Sequence, residues 1–307
     1  MFYMKNKRIL GTICLFITAF IWGVAFVFQR TGMDHIGPIT FMAARCVLAV
    51  VCLGILSVVL HGKDAFKFDK PTLTGGLICG VLLTFANNFQ QIGLVSTSAG
   101  KAGFITAMYI LLVPLVSVLI FKKRQSSVIM AAVGMGAVGL FLLCVNENFT
   151  INTGDLWVIA CALTFTWHII VTDKFAQTAD PIKMSFLQFL VTAVLDWILA
   201  FIVETPTIDA LFEARISILY CGILSAGAGY TLQIFGQRYT EPAAASLIMS
   251  LESVFAALSG ALILGERMST KEIIGCVIMF AAILLVEFRQ TEYAYRRKER
   301  RMKEKRK

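Results

Sequence analysis

The chain has 307 residues, of which 58% are hydrophobic and 15% charged, against roughly 45–50% and 25% in soluble globular domains. This composition excludes an ordinary soluble enzyme or binding protein and is typical of an integral membrane protein. The formal net charge of +9 comes mostly from residues 289–307, which hold ten Lys/Arg and three Glu. We expect no nucleic-acid partner, because no aromatic stacking platform accompanies these charges.

Apolar runs of 16 to 22 residues follow one another along the chain, and each is long enough to cross about 30 Å of hydrocarbon as an α-helix. The first five predicted spans are Ile9–Phe28, Ile39–Leu60, Leu73–Leu94, Ala102–Phe121 and Val128–Val145. The second five are Leu156–Thr172, Met184–Val203, Ile216–Gly236, Ala243–Leu264 and Ile273–Phe288. The sequence therefore predicts an all-α integral membrane protein with ten transmembrane helices.

The distribution of basic residues predicts how these helices are oriented. With the N-terminus in the cytoplasm, twelve Lys/Arg fall on the inner side and five on the outer side, before the tail is counted. Positive charges in short loops favour the cytoplasmic face. We expect a multi-pass protein of the cell membrane with both termini in the cytoplasm. The basic tail, 289–307, is expected to contact anionic lipids.

A shift of 143 residues brings the two halves of the sequence into phase without a gap. The matched pairs include Gly11 and Gly154, Pro38 and Pro181, and Gln90 and Gln233. Each half holds five predicted spans, an odd number, so the halves cross the membrane in opposite senses. We predict two inverted five-helix repeats, 9–145 and 154–288. Inverted repeats are typical of secondary transporters, which expose a central site to each side in turn, although a duplicated membrane scaffold is an alternative.

Charged residues inside the predicted spans are the first candidates for function, because hydrocarbon penalises them. Glu252 lies nine residues into the ninth span, about 14 Å from its inner end. It is a candidate for a proton-carrying or amine-binding carboxylate, and the alternative is an acid paired with a helix neighbour. Arg45 lies about 9 Å below the outer end of the second span. Its planar guanidinium could hold a substrate carboxylate, or it could extend to the interface or form a fixed ion pair.

Uncharged polar residues supply further candidates for substrate binding. The third span carries a stripe at helical spacing, which predicts a cavity wall or hydrogen bonds between packed spans. Its members are Thr84, Asn87, Asn88 and Gln91. In the sixth span Trp167 and His168 are adjacent, and either could contact a substrate or pack between helices. Tyr109 occupies the same repeat position as Glu252, near mid-depth, whereas Asp196 is interpreted as a hydrated or paired residue.

Short motifs resemble those of the EamA-type branch of the drug/metabolite transporter superfamily. They are Trp22-Gly23, Arg45, residues 96–103, Pro114 and Leu264-Gly265-Glu266-Arg267. The resemblance implies ten helices, cytoplasmic termini and a cavity lined mainly by spans 1, 3, 4, 6, 8 and 9, with Trp22 as a candidate contact. Members of this family mostly export amino acids and other small metabolites. The proline that commonly follows the glutamate of the ninth span is Ser253 here, which puts a proline bend at that place in doubt.

The sequence thus favours a secondary transporter that exports amino acids or similar small metabolites by alternating access, with proton coupling through Glu252 as one option. A carrier of nucleotide sugars or other polar metabolites is the alternative. An integral-membrane enzyme is a further one, although the zinc-protease, nucleophile-elbow and phosphate-loop motifs do not occur. We expect no cofactor and no metal, and the sequence leaves open whether the chain is a monomer or a homodimer.

Overall fold

The computed structural model describes residues 2–97, 99–122, 125–144, 152–263 and 269–285, and every regular element in these ranges is a helix. The first six α-helices are α1 (Phe2–Gly32), α2 (Pro38–His61), α3 (Lys70–Ser96), α4 (Ala99–Ala107), α5 (Tyr109–Leu119) and α6 (Ser127–Cys144), with a short 3₁₀-helix (Gly62–Asp64) between α2 and α3. Next come α7 (Thr153–Ala176), α8 (Pro181–Val203), α9 (Ile208–Glu213), α10 (Arg215–Leu219), a π-helix (Tyr220–Gly229) and α11 (Tyr230–Gln237). The last are α12 (Pro242–Met249), α13 (Glu252–Ile263) and α14 (270–285).

Within the described ranges, seven helical segments are long and apolar enough to cross a membrane. Two shorter apolar segments, Ile105–Leu119 and Ser127–Leu142, accompany them. The prediction of an all-α, multi-pass membrane protein is confirmed, whereas the count of ten spans stays a prediction. The basic tail 289–307 and the loop Gly265-Glu266-Arg267 lie outside the described residues.

Helix starts follow from local sequence. Proline stands in the first turn of α2, α3, α8 and α12, where its missing N–H costs no hydrogen bond and its fixed φ suits a helix. The side chain of Asp180 caps α8 by accepting hydrogen bonds from Ile182 N and Lys183 N. Asn152 and Asp155 form a reciprocal capping box at the start of α7. Such caps satisfy amides that have no partner inside the helix.

The helices pack most extensively where α3 runs beside α7 and α8, and where α2 runs beside α8. Large apolar side chains such as Val59 and Leu262 remain exposed on the outside, as expected for a surface in contact with lipid. The interior instead buries many polar residues, including Arg45 and Glu252. This polar interior, enclosed by apolar helices, is where the candidate site lies.

Close contacts between helices recur at equivalent positions of the two halves. Gly11 packs against Gly236 and Thr240, and 143 residues away Gly154 packs against Gly93 and Thr97. Gly80 packs against Gln188 and Val191. In the other half, Gly222 packs against Arg45 and Leu48, which lie 143 residues before Gln188 and Val191.

Gly222 is thus the structural counterpart of Gly80, although it lies one residue before position 223, which a shift of 143 predicts. Gly222 lies inside the π-helix Tyr220–Gly229, and a π-helix accommodates one extra residue relative to an α-helix. The ungapped repeat predicted from the sequence therefore needs a local correction over residues 222–229.

Candidate functional site

A small cavity lies in the polar interior, where helices of both halves meet. From the first half it is lined by Trp22, Phe26, Gln29, Arg45, Asn87, Gln90, Thr106 and Tyr109. From the second half it is lined by Phe165, Ile169, Ser225, Tyr230, Gln233 and Glu252. Its volume is about 30 Å³, room for a few water molecules and far less than the 300–1,000 Å³ typical of ligand pockets. The cavity is therefore too small to hold a metabolite in this conformation.

Two opposite charges face this cavity. The guanidinium of Arg45 is 3% exposed, and its Nη1 donates to Gln29 Oε1 at 3.2 Å while Nε has no partner. Glu252 is 5% exposed, and its Oε1 accepts a hydrogen bond from the Tyr109 hydroxyl at 2.9 Å. No carboxylate oxygen of the described residues forms a salt bridge with Arg45. Each charged group thus keeps capacity for a ligand.

Both Tyr109 and Glu252 begin a helix at a break in a longer apolar segment. Met108 separates α4 from α5, and Ser250 and Leu251 separate α12 from α13. The second break forms without a proline, because the Ser250 hydroxyl bonds Leu247 O at 2.7 Å and Leu251 N bonds Ile248 O in a tighter turn. Pro114 lies inside α5, six residues beyond the first break. Discontinuous helices at such depth are typical of binding sites in secondary transporters.

The π-helix forms another wall of the cavity. A π-helix weakens the regular backbone ladder, and here side chains of α1 bond its carbonyls. Trp22 Nε1 donates to Ser225 O at 3.2 Å, and the Thr18 hydroxyl donates to Gly229 O at 3.1 Å. The ring of Trp22 also packs on the ring of Tyr230, with 4.6 Å between ring centroids. These contacts fix two aromatic side chains at the cavity wall.

Amide side chains complete the polar lining. Tyr230 donates its hydroxyl hydrogen to Asn87 Oδ1 at 3.2 Å, and Gln90 Nε2 donates to Thr106 Oγ1 at 3.2 Å. Asn87 Nδ2 and Gln233 Oε1 have no hydrogen-bond partner. The site therefore offers a cation, a carboxylate, unpaired amide groups and aromatic faces to a small polar ligand.

Half of the residues predicted from the sequence lie at this cavity, namely Trp22, Arg45, Asn87, Tyr109 and Glu252. The remaining members of the third-span stripe do not. Thr84 bonds Gly80 O within its own helix, and Asn88 donates to Asp196 Oδ1 on α8 at 2.6 Å. Gln91 is fully buried, with neither atom of its amide hydrogen-bonded. These three residues lie within helix packing, which was the alternative to the cavity wall.

The two candidates of the sixth span also lie outside the cavity. Trp167 is 40% exposed on the surface of the helix bundle. His168 is fully buried, and its Nε2 is 3.2 Å from Gln188 Oε1. The imidazole lies edge-on to Tyr230, with 5.9 Å between ring centroids. His168 thus packs against Tyr230, a residue of the cavity lining, without lining the cavity itself.

Sequence reasoning missed nine cavity residues: Phe26, Gln29, Gln90, Thr106, Phe165, Ile169, Ser225, Tyr230 and Gln233. The sequence repeat could have indicated some of these residues, because they match polar residues in the other half. Gln90 and Gln233 are identical at the shift of 143, and Tyr230 is the counterpart of Asn87. The apolar members carry no such signal, because they resemble any residue that packs inside a membrane protein.

Comparisons with known proteins agree with this architecture. A model described as the EamA-like transporter family matches residues 9–145 and 152–288. An uncharacterized transporter of Archaeoglobus fulgidus is 29% identical over 290 residues, which cover 92% of this chain and 87% of the relative. An uncharacterized transporter of Bacillus subtilis is 22% identical and covers 92% of this chain and 97% of its own.

A relative in Chlamydia muridarum is named as an S-adenosylmethionine/S-adenosylhomocysteine transporter and is 30% identical over 117 residues, 36% of each chain. A solved crystal structure aligns with a TM-score of 0.75 over 90% of this chain and 96% of that one, at 17% identity, which shows a shared fold. The family model covers both halves of the chain. The protein is therefore a multi-pass membrane transporter of the EamA-like transporter family.

Proposed function

We propose that this protein exports amino acids or similar small metabolites across the cell membrane as a secondary transporter. The observation that carries the proposal is the pair of opposite charges at one buried cavity. An α-amino acid has a carboxylate that the forked donors of Arg45 can bind. It also has an ammonium group that complements the carboxylate of Glu252. Buried charges without a direct ionic partner favour a ligand that supplies both a carboxylate and an ammonium group.

Glu252 is also proposed to couple transport to protons. A buried carboxylate can be neutralised by a proton or by a substrate ammonium group, but one oxygen site cannot hold both at once. The carboxyl group would therefore bind a proton when the substrate leaves and lose it when the next substrate binds. The hydrogen bond from Tyr109 holds this carboxyl in place at the N-terminus of α13, where the helix dipole favours a negative charge.

Alternating access between two inverted repeats is the proposed mechanism, with spans 9–145 and 154–288 as the repeats. The recurrence of the Gly11–Gly236 contact as the Gly154–Gly93 contact supports it. With cytoplasmic termini, the first contact would lie near the inner side and the second near the outer side. Both are formed here, and the cavity is small, which fits a conformation closed at both ends.

Counterflow in proteoliposomes tests the function. Vesicles preloaded with unlabelled amino acids should accumulate labelled amino acid, and a pH gradient should stimulate the flux. Glu252→Gln should abolish the stimulation, and Arg45→Ala should weaken substrate binding by about tenfold or more, since a charged hydrogen bond is worth roughly 1.5–3 kcal/mol. Asp209→Asn and Arg30→Ala, both at exposed positions, are the matched controls. Normal gradient-stimulated flux in Glu252→Gln would remove that residue from coupling.

One comparison and one feature of the cavity support a second class of substrate. The Chlamydia relative is named for S-adenosylmethionine and S-adenosylhomocysteine, and both compounds contain an α-amino acid group together with an adenine base. Aromatic rings at the cavity, those of Trp22 and Tyr230, could stack on a base. The binding panel should therefore include these compounds and nucleotide sugars beside the standard amino acids.

The proposed orientation has its own test. Inverted repeats with cytoplasmic termini place the loop at Lys122 inside the cell and the loop at Glu266 outside. Single cysteines at these positions, in a cysteine-free chain, should react with a membrane-impermeant maleimide only at position 266 in intact cells. Labelling of both from one side would contradict the inverted topology.

A further inference from the structure

Asp196 is a buried carboxylate that the proposed transport cycle does not use. It lies on α8, is fully buried and accepts a hydrogen bond at Oδ1 from Asn88 Nδ2 at 2.6 Å. Its Oδ2 has no hydrogen-bond partner. A carboxylate at this depth is costly unless a positive charge lies near enough to offset it.

The orientation of this carboxylate is fixed from α3. Asn88 Nδ2 also donates to Thr84 O at 2.9 Å, and a carbonyl oxygen can only accept. The amide of Asn88 therefore cannot be turned over, and its second N–H is always presented to Asp196. Asn88 is a positioning residue for this carboxylate.

Arg45 is a buried positive charge at a similar level, within about one helical turn of Asp196. Glu204, which follows α8, accepts hydrogen bonds from Ile39 N and Thr40 N at the start of α2, and this contact sets the register of the two antiparallel helices. Counted from it at 1.5 Å per residue, Arg45 lies about 8 Å and Asp196 about 12 Å into the bundle. Arg45 and Asp196 form no direct salt bridge, so their charges interact only through space.

We propose that Asp196 determines the charge selectivity of the cavity by offsetting the positive charge of Arg45 from outside the binding surface. This inference rests on the proposed function. The charges of Arg45 and Glu252 offset each other at the cavity, so these two residues alone would not discriminate against dicarboxylic amino acids. With the Asp196 charge nearby, a single substrate carboxylate is still bound, whereas a second negative charge on the substrate is repelled. The cavity then prefers zwitterionic and cationic amino acids over anionic ones.

The size of the effect follows from Coulomb's law. For neighbouring helices, whose axes lie about 8–10 Å apart, a second substrate charge would lie roughly 10 Å from Asp196. At an effective dielectric constant of about 20, removal of the Asp196 charge should change the preference between a neutral and an anionic side chain by about tenfold. Glutamine and glutamate are the matched probes, because they differ in charge and hardly in shape.

The experiment measures binding of glutamine, glutamate and lysine to purified full-length protein at pH 8, well above the usual titration range of a carboxyl group. Asp196→Asn should raise the affinity for glutamate relative to glutamine by about tenfold and lower the relative affinity for lysine. Asp209→Asn, at an exposed position of α9, should leave both ratios unchanged. Asp196→Leu, which introduces the residue found at the equivalent position 53, serves as a second neutral variant if the first is unstable.

The outcomes separate the two proposals. If the wild-type protein binds none of the amino acids, the proposed function fails and this inference with it. If it binds them and the glutamate-to-glutamine ratio of the folded neutral variants equals that of the wild type, Asp196 has no role in selectivity. An equal loss of affinity for all three ligands would likewise overturn the inference, because it indicates a structural role only.

Discussion

Gly23 lies where α1 crosses α13, directly after Trp22 and against the backbone of Glu252. A methyl group at this position would lie 2.7 Å from Glu252 O and 2.9 Å from Ala256 N, and closer still to Phe255 Cβ. Ordinary contacts between such atoms need about 3.5–4.0 Å. In Gly23→Ala the two helices must therefore separate by about 1 Å. Because backbone atoms cannot rotate away, we expect a loss of roughly 1–3 kcal/mol from overpacking.

Gly134→Ala is the matched control, because a methyl group at Gly134 in α6 meets nothing within 4 Å. Both substitutions replace glycine by alanine inside a helix, so the gain in helix propensity, about 1 kcal/mol, is common to both. Thermal unfolding of detergent-solubilised protein, followed by fluorescence-detected gel filtration, should give a Tm for Gly23→Ala lower by on the order of 2–6 °C than for Gly134→Ala. Equal Tm values would refute the argument that α1 and α13 are held at backbone contact beside Glu252.

Three other substitutions test single contacts. Trp22→Phe removes the donor to a π-helical carbonyl and should lower stability by about 1–2 kcal/mol, measured as a loss of Tm. Glu204→Gln removes the negative charge from the start of α2 and weakens its bond to Thr40 N, with an expected loss of about 1 kcal/mol. A hydrogen bond from Thr72 lowers the pKa of Asp69, which caps α3 outside the membrane. Its stabilising effect is therefore present at pH 7 and is lost as the pH falls through the pKa of the folded state. The difference in Tm between wild type and Asp69→Ala should accordingly shrink on acidification, and a constant difference would contradict this account.

The long apolar helices could be predicted from sequence because the bilayer imposes a simple length rule. Pro38 and Pro181, a matched pair in the repeat, stand in the first turns of α2 and α8, where proline is favoured. The π-helix at Tyr220–Gly229 could not be foreseen, because its sequence is as apolar as that of the neighbouring helices. Only the contacts of Gly80 and Gly222 reveal the extra residue.

The candidate site was predicted in part for a similar reason. Hydrocarbon penalises charge at any position, so Arg45 and Glu252 were conspicuous in the sequence and both lie at the cavity. Helical spacing shows which side chains share a face but not what that face contacts. Asn87 and Asn88 are adjacent in sequence, yet the first faces the cavity and the second bonds Asp196. Deciding between them required the positions of α8 and α11.

Two hydrogen bonds join residues that are 143 positions apart, Tyr109 to Glu252 and Tyr230 to Asn87. In a carrier built from two repeats that exchange conformations, the distance between a residue and its own counterpart is the same before and after the exchange. Contacts between other positions, such as Gly11 with Gly236, would open on one side as their mirror contacts close. The two hydrogen-bonded pairs would therefore stay joined in both conformations, and the helix ends would move around them.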